Sequence, residues 1–399
     1  MNRNWIIEGE EPLGPFSSYA LALWGIQGLL FPNDVLIDRN RFEQRAGFVR
    51  NLQTFMRNNG HLKRPKIWAI SGQKGGVGKS VICSLLGAIM ADAGMRVVIV
   101  DAHPGVASQM RTFRTDPSNR TWQEQPGESV RDFLVETSRP NLRLLPYGNS
   151  MTGTCLSTIL NRLRLLATLR TLDADVVLID LGARVNGTGM DLFLSADVNV
   201  VVSTPEVTSI QNICQMLRRA YKRKFDTAVF SLLPGKNLPG LEISREDVPV
   251  RELAVRTLRR LRLPVNPILN RAEKSFNVKV VFNMVREDDD RVPVRVLSKT
   301  VRRQLGFDLV YAGSVSYEPM LREALARRDL NLLLGENKDI LSQIEEIVQA
   351  LLTAPAKFRQ PLETAQLSED AIVCGIWCPS WDECELKNPG YACPYKNIS

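Results

Sequence analysis

The stretch KIWAISGQKGGVGKSVICSLLGAIMADAG, residues 66–94, constrains the fold of this chain more than any other. KIWAIS reads as a buried strand and VICSLLGAIMADAG as a helix closed by Gly94, with only a glycine-rich loop between them. Such a loop points several backbone N–H groups and the positive end of the helix dipole at one spot, which is a site for an anion. The loop meets the pattern GxxxxGK[S/T] with one residue of slack from Gly72 and ends in GGVGKS. The backbone of Gly75, Gly76, Val77, Gly78, Lys79, Ser80 and Val81 is therefore expected to cradle a polyphosphate. Lys79 is expected to neutralise its β- and γ-phosphates, and the Ser80 hydroxyl to ligate Mg²⁺.

Downstream, apolar strands alternate with helical stretches. MRVVIVDA, LRLLP, DVVLIDLG, VNVVVST, FNVKVVFNMV and LVYAGSV are rich in Val, Ile and Leu, as strands buried on both faces must be. The expected class is α/β, a doubly wound, mostly parallel sheet over residues 66–352. Asp101 ends one of these strands and Asp180 another. Carboxylates at the C-terminal ends of neighbouring parallel strands lie in the usual ligand crevice, so one or both should hold the Mg²⁺. The alternative is a strand-ending Asp that caps the next helix.

The phosphate loop needs one lysine and carries two. Lys79 fills the phosphate position, so Lys74, five residues earlier, is free to reach a nucleotide held by a second copy of the chain. KGGVGKS resembles the deviant Walker A motif of the MinD/ParA ATPases, in which that lysine crosses a dimer interface. LIDLGARVNGTGMDLFLSADVNVVVSTPEVTSIQN and VVFNMVREDDDRVPVRVLSKTVRRQLGFDLVYAGSVSYEPMLREAL are similar to the FlhG/FleN branch, which governs flagellar number and placement. The resemblance implies a P-loop NTPase that uses ATP and Mg²⁺, an ATP-driven homodimer, catalytic roles for Lys74, Lys79 and Asp180, and an adenine contact from Asn283. One position departs from the family. DAHPG replaces DxDxG, so His103 stands where a carboxylate orders the attacking water. Imidazole lacks that fixed negative charge, and slow or absent hydrolysis is the expectation. Three functions fit: a positioning switch for a flagellum or other polar machinery, a nucleotide-locked scaffold, or a DNA-segregation ATPase.

At 399 residues the chain exceeds one ordinary core. Residues 1–40 resemble a small α+β GYF-like domain through Trp5, Gly14-Pro15-Phe16, Leu21, Trp24, Gly28, Leu30 and Pro32. NWIIEG and PNDVLID read as strands, GPF as a turn, and SYALALWGIQGLL as a helix. Such domains bind proline-rich peptides, although Ile6 and Ile7 replace the family's usual aromatic pair. Residues 41–65 read as a basic helix plus linker, and residues 353–372 as a polar tether. The tail, 373–399, holds Cys374, Cys378, Cys384 and Cys393 in the spacing C-x3-C-x5-C-x8-C. Four thiolates so close suit Zn²⁺ or an iron–sulfur cluster. The other three cysteines, Cys83, Cys155 and Cys214, are scattered as buried thiols are. A formal net charge of +8 permits contact with DNA or an anionic membrane without requiring either. VPVRELAVRTLRRLRL, residues 248–263, and RRAYKRK, residues 218–224, carry the arginines for such contact, but are read first as solvated faces over a packed stripe. No apolar run reaches the roughly 18 residues of a spanning helix, and no signal sequence opens the chain, so a cytoplasmic protein recruited to a pole or membrane complex is expected.

Overall fold

The computed structural model describes residues 5–7, 13–16, 24, 29, 35–38, 43–45, 65–72, 74–102, 108–115, 129–147, 168–183, 187–233, 248–286, 292–319 and 337–352. At the N-terminus lie β1 (Trp5–Ile7), β2 (Leu13–Phe16), β3 (Val35–Asp38) and β4 (Glu43–Arg45), an antiparallel sheet of order β2-β1-β3-β4. GPF is thus the end of a strand and not a turn. Pro15 is tolerated because β2 is an edge, where a missing N–H breaks no ladder. A helix and linker were expected from residue 41, but Glu43–Arg45 extends the sheet as its other, polar edge.

The larger unit contains β5 (Lys66–Gly72), α1 (Lys79–Asp92), β6 (Val97–Asp101), α2 (Ser108–Thr112), β7 (Val135–Glu136), β8 (Leu142–Pro146), β9 (Val176–Ala183), α3 (Gly187–Ser195), β10 (Val198–Ser203) and α4 (Val207–Leu232). It continues with α5 (Val250–Arg260), α6 (Val265–Lys274), β11 (Val278–Val285), α7 (Val292–Leu305), β12 (Val310–Ser316) and α8 (Lys338–Leu352). Eight strands form one sheet of order β12-β11-β10-β5-β9-β6-β8-β7. Every pairing is parallel except that of β7 with β8. The two-residue β7 was not legible in the sequence, being too short to show a period.

Alternation along each strand builds two cores. Trp68, Ile70, Val97, Ile99, Val176 and Leu178 face one way, with α1 and α8 packed over them. Ile67, Ala69, Val98, Val100, Val177 and Ile179 face the other, beneath α3 and α4. Side chains alternate with period two, so a strand apolar at every position is one covered on both faces. Lys66, the first residue of β5, donates to the carbonyl of Leu352, the last residue of α8, at 3.2 Å. The glycine loop leaves the other end of β5, in the middle of the sheet.

The N-terminal sheet joins the second core. Ile7, Leu13, Phe16, Trp24 and Leu29 are at most 1% exposed and are continuous with residues of α4 and α6. Phe16 and Trp24 meet edge to face at 4.6 Å. Arg271 of α6 donates to the Leu29 carbonyl at 2.9 Å and lies 6.0 Å from the Trp24 ring centre.

Candidate functional site

The glycine loop leads into the start of α1, whose N-cap makes no side-chain hydrogen bond among the described residues. The N-cap of α1 is Gly78, which gives no side-chain cap, and no acidic residue stands in the first turn. The first-turn N–H groups of a helix lack partners within it, and here the cap supplies no side-chain acceptor and the first turn no carboxylate. Gly75 and Gly76 are exposed, Val77 is buried, and Gly78, Ser80 and Val81 are half-buried. Lys79 folds back inside the loop at 6% exposure and donates to the Lys74 carbonyl at 2.8 Å. Burial lowers the Lys79 pKa, and the charge of Asp180 offsets part of that.

Asp101 and Asp180 are direct register partners across β6 and β9. Both are buried, Asp101 at 4% and Asp180 at 0% exposure. The Gln109 backbone N–H donates to Asp101 Oδ2 at 2.9 Å, so Asp101 does bind the helix that follows its strand. Gln109 Nε2 donates to Asp180 Oδ2 at 2.7 Å and to the Ser80 carbonyl at 3.1 Å. The Gly182 N–H donates to Asp180 Oδ1 at 3.2 Å. Cys83 lies behind this pair, and its thiol pKa is pushed well up by burial first and then by the charges of Asp180 and Asp101.

Lys74 and Lys79 occupy opposite environments. The Lys74 side chain is 43% exposed, and its Nζ pairs with Glu206 Oε2 at 2.5 Å. Glu206 stands on the turn between β10 and α4, where its carbonyl accepts the N–H groups of Ser209 and Ile210. The next residue, Val207, is 69% exposed, so a charge pair and a bare apolar side chain share this surface.

Asn283 reaches the loop from β11. Its Nδ2 donates to the Val77 carbonyl at 3.0 Å, while its buried Oδ1 accepts no hydrogen bond among the described residues. Met284 follows with φ of 59°, and the β11–β12 register shifts between Phe282 and Val285. Left-handed backbone at a non-glycine residue is costly and clusters at functional sites. Beyond it, a cavity of about 770 Å³ is lined by Val285, Arg286, Tyr317, Glu318, Asn337 and Asp339, among others. The Arg286 guanidinium lies 5.1 Å from the Tyr317 ring centre.

His103, Cys155, Cys374, Cys378, Cys384 and Cys393 lie outside the described residues. Among the described residues, no cluster of three or more His, Cys, Asp or Glu could hold a metal ion. Neither does any described helix have the length and apolarity to cross a membrane. The RRAYKRK segment lies within α4, and most of its cations bond within the fold while Arg219 is exposed. Arg218 donates to Gln304, Arg223 pairs with Asp191, and Lys224, 0% exposed, donates to Ser275. The other basic segment holds a single helix, α5 (Val250–Arg260), which ends where Arg262 turns left-handed at φ 56°. Val250, Ala254 and Leu258 form its buried stripe, and Arg256 pairs with Glu252 one turn away. Gln109 and Glu206 were not singled out from the sequence. The one usable signal is for Glu206, an acidic residue just past the end of β10, as Asp101 is the last residue of β6; Asp180, expected at a strand end, lies inside β9, which runs on to Ala183.

Residues 65–227 match the AAA domain family model. The chromosome partitioning protein ParA of Caulobacter vibrioides is 25% identical over 281 residues, 66% of this chain and 94% of its own. The flagellum site-determining protein YlxH of Helicobacter pylori is 26% identical over 183 residues, 44% of this chain and 60% of its own. Among solved structures, the septum site-determining protein MinD of Pyrococcus horikoshii, complexed with Mg-ADP, covers 71% of this chain and 95% of its own at 15% identity and a TM-score of 0.47. The family match and the relatives support an ATPase of the MinD/ParA group.

Proposed function

We propose that this chain is a MinD/ParA-type switch that dimerises on ATP, with hydrolysis slowed by His103, and that it positions or regulates a cellular assembly such as a flagellum. The observation that carries this reading is the separation of the two loop lysines: Lys79 is 6% exposed behind its own loop, and the Lys74 side chain is 43% exposed beside Val207. A buried lysine serves the phosphates of its own site. A lysine on an exposed, partly apolar surface serves a second copy that covers that surface.

The residues present fit Mg²⁺ and ATP. The first turn of α1 offers uncapped N–H groups with no acidic side chain to compete, and Asp101 and Asp180 offer paired carboxylates beside Ser80. Asn283 Oδ1 is a buried acceptor without a donor among the described residues, suited to the exocyclic amine of a base. Bound Mg·ATP supplies a scissile phosphoanhydride and the charge that neutralises it. The chain itself holds the phosphates on backbone N–H groups, orients the carboxylates, and releases Lys74 from Glu206 to cross to its partner. The N-terminal sheet and the cysteine tail then serve as recruiting modules.

Two measurements test this. Sizing by light scattering is expected to give a dimer with ATP and a monomer with ADP or no nucleotide, and Lys74→Ala is expected to remain monomeric at saturating ATP. A wild type that stays monomeric with ATP overturns the reading. Phosphate release by wild type is expected to be at least tenfold slower than by His103→Asp, since general base assistance contributes about 100-fold or more where it operates. Equal rates would show that another group orders the water. The ParA relative supports a second reading, in which the assembly is a chromosome. ATP-bound dimers that bind duplex DNA with affinity falling steeply in salt would favour it.

A further inference from the structure

Gln109 touches three of the residues assigned to the cation and has no role in the reading above. It is 0% exposed. Its backbone N–H donates to Asp101 Oδ2 at 2.9 Å, and its Nε2 donates to Asp180 Oδ2 at 2.7 Å and to the Ser80 carbonyl at 3.1 Å. A carboxylate only accepts, so the amide nitrogen must face Asp180 and the amide oxygen must turn away. There it lies 2.7 Å from the hydroxyl of Ser84, which also lies 2.8 Å from the Ser80 carbonyl. The side chain is therefore fixed at both ends.

The chemistry of the amide matters as much as its place. A lysine or arginine at this position would hold the Asp180 carboxylate but cancel charge. The neutral amide orients one lone pair of Asp180, the backbone N–H of the same residue orients one of Asp101, and the negative charge of the pair is left for a cation. The same amide ties down the carbonyl of Ser80, whose hydroxyl is the third expected ligand.

We propose that Gln109 is a positioning residue for the divalent cation, setting the relative orientation of Asp101, Asp180 and Ser80 without binding the ion itself. The proposal rests on the Mg·ATP reading. Outer partners that orient metal ligands typically change metal affinity by about 10–100-fold when removed.

The test is the binding of a fluorescent ATP analogue titrated with Mg²⁺ from an EDTA baseline. Gln109→Met keeps length and burial but removes the donors of the side chain. It is expected to raise the half-saturating Mg²⁺ concentration about tenfold, while affinity in EDTA changes less than twofold. Ser84→Ala releases only the far end of the amide, and is expected to shift the Mg²⁺ requirement in the same direction by about threefold. A folded Gln109→Met with an unchanged Mg²⁺ requirement overturns the proposal. If that variant does not fold, an unchanged requirement in Ser84→Ala does the same. Wild type that binds no nucleotide, with or without Mg²⁺, overturns the Mg·ATP reading instead, so the two failures are distinguishable.

Discussion

Lys79→Met is expected to lose nucleotide affinity by about 30-fold or more, with no loss of thermal stability. The first part follows from removing a charged partner of a phosphate in a water-poor site, which costs about 2–5 kcal/mol, and each 1.4 kcal/mol is about tenfold. The second part follows from the environment of the free protein. Burial lowers the Lys79 pKa from 10.5, and this outweighs the attraction of Asp180. A lysine with a folded pKa below its unfolded one binds its proton more weakly in the native state. Between that lowered pKa and 10.5 the unfolded chain holds more protons, so stability rises with pH. Below the window the charge is a standing cost to folding. Methionine removes it, and the apo midpoint at neutral pH should be equal to or above that of wild type. The gap should close as pH climbs through the window. A calorimetric series in pH checks this alongside a nucleotide titration. A midpoint well below wild type at neutral pH would mean that the Asp180 pairing dominates.

Gly78→Ala is the second large effect, and it acts on the fold. Gly78 has φ of 87°, and a Cβ there would fall inside the contact radius of Asn283 Nδ2. The left-handed backbone alone costs an L-residue about 1–2 kcal/mol. Asn283 is 0% exposed and holds the Val77 carbonyl, so it has no free direction in which to retreat. Forced overpacking adds about 1–3 kcal/mol, for a total of about 2–5 kcal/mol in denaturant unfolding. Gly75→Ala is the control, because a Cβ at Gly75 meets nothing within 4 Å. It should unfold with wild type. Any nucleotide affinity it loses then reports the approach of the ligand to the loop.

The strand, loop and helix over residues 66–94 were legible because the sequence carries them locally: a buried apolar run, glycines, then a helical stretch. Asp101 and Asp180 were legible for a related reason. Each closes an apolar run, and a parallel sheet brings such positions together, as the register of β6 and β9 does, although β9 continues past Asp180 to Ala183. What the sequence hid were contacts made by strand order. Lys74 and Glu206 are 132 positions apart, and Asn283 and Val77 are 206 apart. They meet because β10 and then β11 follow β5 in the sheet order. Gln109 was invisible for another reason: an uncharged side chain eight residues past Asp101 carries no signature until both carboxylates are placed. The N-terminal edges were misread because three or four residues are too few to display a period.

The Lys66–Leu352 hydrogen bond sets a polarity for the whole molecule. β5 is seven residues long, so at about 3.3 Å per residue the phosphate loop and the exit of the final helix lie roughly 23 Å apart along it. Two copies brought together loop to loop would place the Leu352 ends of their α8 helices on the far sides of the pair. The α8 end at Leu352 is then linked to the nucleotide loop through β5, by way of the Lys66 hydrogen bond.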